Sequence, residues 1–253
     1  ALGVSEAVAG EGYMARLGEY GFEASQRARA LNDRFLQELK GFDRAALDEG
    51  AAVTYDVLRY AYEMGARRNQ FGFGGASLWG AGSPYPVTQL TGAHLSLPRM
   101  LLTQHAITSR DDAEAYLARL AAFGRVFDEL IESLGNDAAL GVTPPDFALA
   151  GAAASARGFI APPPPSHPLA TTLSAKLEGV RGVTAGERAT YAMRAAETLE
   201  TVVYPAYVRL AEALDALRPQ AGSDAGLWRL GEDDGPALYQ LALASYGAGA
   251  MTA

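Results

Sequence analysis

Cysteine is absent from all 253 residues. With it go disulfides, thiolate zinc sites, iron–sulfur clusters and cysteine nucleophiles, although the absence fixes no compartment. Histidine is nearly as scarce, with only His94, His105 and His167. None belongs to a His-Glu-x-x-His helix, and a zinc site needs three or four ligands. Each is therefore read as a hydrogen-bonded or surface residue, and His167, in a proline-rich stretch, as solvent-exposed. Positive charge is short as well: 21 basic residues face 29 acidic ones, a net charge of -8. No Lys/Arg cluster reverses that sign locally, which argues against nucleic acid as a partner. No apolar run approaches the roughly 20 residues needed to span a bilayer. The chain opens on Ala1-Leu2-Gly3 with neither an initiator Met nor a signal-peptide pattern, so its true beginning is expected to lie upstream.

What is present is helical periodicity. With 49% hydrophobic and 20% charged residues the chain can bury a core. From Asp111 to Leu134, apolar residues recur at three- and four-residue steps, with Ser109 as N-cap, acidic residues in the first turn and Gly135-Asn136 as the stop. A second long helix is predicted over 185–218, opened by a Thr184/Glu187 capping box, kinked at Pro205 and closed by Pro219. Shorter helices are expected at about 24–40, 43–68 and 143–156, around Leu169 to Leu177, and at Ala237 to Ser245. Short irregular or β-like pieces are expected near Trp228. The fold class is all-α, with little or no β-structure and no internal repeat.

Two stretches break the period. Residues 71–98, rich in Gly and Pro, carry Phe71, Phe73, Trp79 and Tyr85 and form too long a loop to be a plain connector. Residues 161–168 hold four successive prolines and read as an extended surface linker. Within the first stretch, Gly72-Phe73-Gly74-Gly75-Ala76-Ser77 begins like a dinucleotide fingerprint. It lacks the third glycine and any βαβ context, so it reads as a loop whose backbone packs closely. No phosphate loop and no Gly-x-Ser-x-Gly elbow occurs. Asp111-Asp112 suit a helix dipole, and Glu232-Asp233-Asp234 read as a solvated turn before a helix. No catalytic residue and no metal ligand can be assigned within the chain.

An ordered series of short patterns carries a resemblance. It runs through Ser83-Pro84-Tyr85-Pro86-Val87-Thr88-Gln89-Leu90-Thr91-Gly92, Leu97-Pro98, His105-Ala106-Ile107, Asp112 to Leu120, Gly141-Val142-Thr143-Pro144-Pro145, Val203-Tyr204-Pro205-Ala206-Tyr207 and Asp224 to Leu230. From about Phe42 onward the chain resembles the amino-terminal half of the bacterial family called domain of unknown function 885. The resemblance implies a longer parent related to gluzincin-like zinc peptidases, with the zinc motif in a carboxy-terminal half beyond this chain. It implies no zinc ligand here, export to a periplasmic or lipoprotein-like location, and a peptide-like substrate. Thr252, at the end, reads as the N-cap of a helix still to come. In that case this half shapes the cleft, with Tyr85, Gln89, His94 and Tyr239 as candidate lining residues, and its partner is its own missing half. The alternative is a non-catalytic helical binding or scaffold domain.

Overall fold

The periodic stretches close into helices because each buries one apolar stripe. The computed structural model describes residues 10, 12–76 and 82–247. Its α-helices are α1 (Phe22–Lys40), α2 (Glu49–Arg68), α3 (Ala93–Thr103), α4 (Arg110–Ala121) and α5 (Phe123–Ala139). They continue with α6 (Asp146–Phe159), α7 (Pro168–Leu177), α8 (Ala185–Thr198), α9 (Tyr204–Leu217) and α10 (Gly231–Ser245). Among the described residues there is no strand, and the stretch near Trp228 is a 3₁₀ turn, Leu227–Leu230, rather than a β-like piece.

The chain divides into two compact units. The first takes the N-terminal stretch through Glu19, Val87–Ile131 and Asp146–Gln220. The second takes Tyr20–Pro86, Glu132–Pro145 and the chain from Ala221 onward. In the first unit α6 packs along α9 and α7 along α8. Leu101, Leu120, Phe123, Phe127, Leu149, Leu173 and Leu210 are fully enclosed there. In the second unit α1 lies along α2, and α10 touches α2 and the Leu227–Leu230 turn. Met64, Phe71, Phe73, Tyr85, Val142, Leu238 and Leu241 form its core cluster.

Both predicted caps are present as capping boxes: Ser109 with Asp112, and Thr184 with Glu187. Several expectations need correction. The stripe from Asp111 is two helices, broken at Ala122, where ψ of -8° opens the ladder. Gly135-Asn136 does not stop α5, because burial of Leu134 and Asp137 on the next turn outweighs weak local propensity. Thr143-Pro144-Pro145 precedes α6 rather than forming its first turn. Glu232, Asp233 and Asp234 form the first turn of α10, not a loop before it. The Pro205 irregularity takes the form of a π turn, Leu199–Val203, which joins α8 to α9.

The largest correction concerns the irregular stretch, which ends at Gly92. Helix α3 begins at Ala93 and carries Pro98 inside it. Proline lacks the N–H that would bond the carbonyl one turn back, at His94. That carbonyl instead accepts a 2.7 Å bond from the buried Tyr207 hydroxyl on α9. A side chain from another helix thus replaces the missing backbone donor.

Candidate functional site

In the second unit, a groove of about 580 Å³ is lined by Leu227, Trp228, Gly235, Pro236 and Tyr239. Its floor depends on two glycines. A Cβ at Gly235 would lie 2.5 Å from the Leu227 carbonyl, so only glycine lets the 3₁₀ turn approach α10 this closely. A Cβ at Gly226 would lie 2.1 Å from the Trp228 ring, so the indole covers that backbone. Asp224 fixes the indole, one oxygen accepting from Trp228 Nε1 at 2.8 Å and the other from the Gly226 N–H at 2.8 Å. Arg229 ties down the same turn by donating to the Asp224 carbonyl. Trp228 is nonetheless 72% exposed and Tyr239 44%. This is a held, not a floppy, aromatic surface.

Deeper in the same unit, Arg68 is 1% exposed. Its Nη2 donates to the carbonyls of Phe73 (3.0 Å) and Ser83 (3.4 Å), clasping the glycine-rich stretch at two points. Nε and Nη1 are buried without a partner, and burial lowers the guanidinium to about 10. Asp137 accepts from the Gly74 N–H at 3.1 Å. Burial raises its carboxyl to about 6, against the pull of that N–H and of Arg68 and Arg29. Gly74 has a φ of +70°, and a Cβ there would strike Arg68 at 2.3 Å and the Pro84 carbonyl at 2.7 Å. The close backbone packing expected of the glycine run is thus present, while Ser77 and Trp79 lie outside the described residues, as does Thr252.

The three histidines all belong to the first unit, and all are buried. Arg119 donates to His105 Nδ1 at 3.0 Å, which leaves Nε2 to donate to the Asp112 carbonyl at 2.9 Å. His167 is not exposed as expected. Its Nδ1 caps α7 by accepting from the Leu169 N–H, Nε2 faces the Phe159 carbonyl, and the Phe159 ring lies against it. His94 has neither ring nitrogen partnered, and burial lowers it to about 4. Among the described residues no three His, Asp or Glu side chains converge to hold a metal. With two of three imidazoles committed on both nitrogens, the donors present do not fit a zinc ion.

A family described as "Bacterial protein of unknown function (DUF885)" matches residues 3–253. The chain belongs to this family. The DUF885 chain also superposes on the crystal structure of a candidate lipoprotein from Colwellia psychrerythraea, with a TM-score of 0.91 and 25% identity. That superposition covers 99% of this chain and 43% of the other, so the chain spans less than half the length of that relative. No curated protein matches it.

Within this DUF885 chain the expected lining residues separate. Tyr239 borders the groove. Tyr85 sits in the core of the same unit, its hydroxyl buried and unpartnered. In the other unit Gln89 packs on Gly151, where a Cβ would meet its own at 2.7 Å, and His94 is 2% exposed. Sequence reasoning passed over Trp228, Arg68 and Asp137. The signal for Trp228 was the Asp224-Ala225-Gly226-Leu227-Trp228 spacing, which lets a carboxylate reach both a turn N–H and an indole N–H.

Proposed function

We propose that the chain is the N-terminal helical half of a longer zinc-dependent, peptidase-like hydrolase, which shapes the substrate cleft while the metal is bound beyond it. The observation carrying this reading is the groove at Trp228 and Tyr239, an aromatic surface open to solvent and rigidly supported. Contiguous exposed aromatic surface on a folded chain marks a contact waiting to be made. The 43% span of the structural relative supports a longer parent, and that relative's description as a candidate lipoprotein supports export. Zinc, when bound in such a parent, would polarise a carbonyl and activate water. The residues described here would orient a peptide-like substrate.

The test is metal analysis of the protein expressed from its full reading frame, with hydrolysis of a mixed peptide library followed by mass spectrometry. We expect one tightly held zinc per polypeptide and cleavage that a chelator stops. A metal-free, inert full-length protein would overturn the reading. It would favour the non-catalytic scaffold instead, which the self-sufficient core of the first unit suits.

A further inference from the structure

Four carboxylates, Asp224, Glu232, Asp233 and Asp234, fall between residues 224 and 239, against one guanidinium, Arg229. Two of these five charges are already engaged: Asp224 by the Trp228 indole and the Gly226 N–H, Arg229 by the Asp224 carbonyl. The other three carboxylates stand in the exposed first turn of α10. On a helix, residues three, four and seven apart share a face. Glu232 therefore stands over Gly235, Pro236 and Tyr239, at the N-terminal rim of the groove they line. The groove wall is apolar and one face of the indole is open, while the rim is acidic.

We infer that this groove takes the side chain of an arginine or lysine from a bound peptide. An aliphatic stem matches the Leu227 and Pro236 walls, and long basic side chains lay such stems on apolar surface while the head reaches polar ground. The cationic head meets the indole face and the Glu232 carboxylate, a geometry in which ring quadrupole and charge act together. A neutral apolar side chain would fill the walls and leave the acidic rim unanswered. This deepens the hydrolase reading, on which it rests, by naming the class of substrate side chain.

The test uses the 253-residue chain carrying Trp79→Phe, so that the one remaining tryptophan, Trp228, reports binding by fluorescence. Acetyl-Leu-Arg-amide is titrated against its uncharged citrulline counterpart, with calorimetry on the unsubstituted chain as the parallel measurement. A saturable change is expected with the arginine peptide and binding about 10-fold weaker with citrulline. Glu232→Gln should weaken the arginine peptide about 5-fold, as should added salt, since an exposed charge contact is screened. Equal affinity for the two peptides would overturn the inference, and so would no saturable binding by either measurement. Shielding of Trp228 from acrylamide in the longer protein without peptide would also overturn it, because the groove would then be an internal contact. Because none of these readings uses zinc or turnover, an inert, metal-free parent would sink only the hydrolase reading. An active parent with no arginine preference in this groove would sink only the present inference.

Discussion

The two units solve the problem of burying polar groups differently. In the first, His105, His167 and Arg119 lie deep, and each is paired with a backbone or ring partner. Tyr207 even supplies the donor that Pro98 cannot. In the second, Arg68, Asn32 and Tyr85 are buried with polar atoms unanswered, and the largest exposed aromatic surface sits beside them in sequence and fold. A protein tolerates unsatisfied groups where something other than stability is being served. The first unit is thus a sealed support, and the second is where a ligand or further chain would act.

Phe127→Ala should strike hardest. The ring is fully buried and meets Tyr207 edge-on at 4.6 Å, so its loss should cost about 3–5 kcal/mol in chemical denaturation. If Met64→Ala, in the less closed core, costs as much, the contrast between the units fails. Tyr207→Phe comes next, leaving the His94 carbonyl unpaired in a dry site at about 1–3 kcal/mol. Adding Pro98→Ala restores a backbone donor there, so denaturant midpoints should show the double variant recovering part of that loss.

Asp137→Asn sharpens the comparison from the other side. A carboxyl raised to about 6 in the folded protein binds more protons than its unfolded counterpart, near 3.9, so stability falls as pH rises from about 4 through 6. Urea midpoints across that range should show the fall, and the asparagine variant should flatten it. At pH 7.5 the variant should gain about 1–2 kcal/mol, since Asn can still accept from Gly74. Glu187 is held down to about 2 by the Thr184 N–H and Arg110, and its contribution is lost only as pH falls below about 4.5, outside that window. A smaller loss, about 1 kcal/mol, is expected in thermal melts for Thr184→Ala, which removes half of a capping box. Smallest is Arg209→Ala, which breaks an exposed pair with Asp128 and should cost less than about 1 kcal/mol.

What could be read from the sequence followed from local rules. The capping boxes at Ser109 and Thr184 and the spacing of Leu169, Leu173 and Leu177 depend only on neighbours along the chain. Helix α3 was hidden because Pro98 argues against a helix on local grounds, and the group that compensates lies 109 positions away in sequence (207 − 98). His167 was misread for the same reason: nothing in a proline-rich stretch announces that Phe159 and Tyr204 will close over an imidazole. In the groove, Tyr239 was anticipated and Trp228 was not. The indole's importance comes from Gly226 and Gly235, whose missing side chains count only once the turn is folded onto its helix.

The π turn at Leu199–Val203 sets a length rule for the long helical rod. Tyr191, Ala195, Leu199, Val203, Tyr207 and Ala211 are all buried and follow one another every four residues. In a regular helix such a series creeps about 40° around the axis at each step. The wider turn takes back part of that creep, so Tyr207 arrives pointing inward. A one-residue deletion at exposed Thr201 would tighten the turn and swing α9 by about 100°, turning its buried face toward solvent. The rod can be rewritten residue by residue on its outside, but it cannot be shortened there by one.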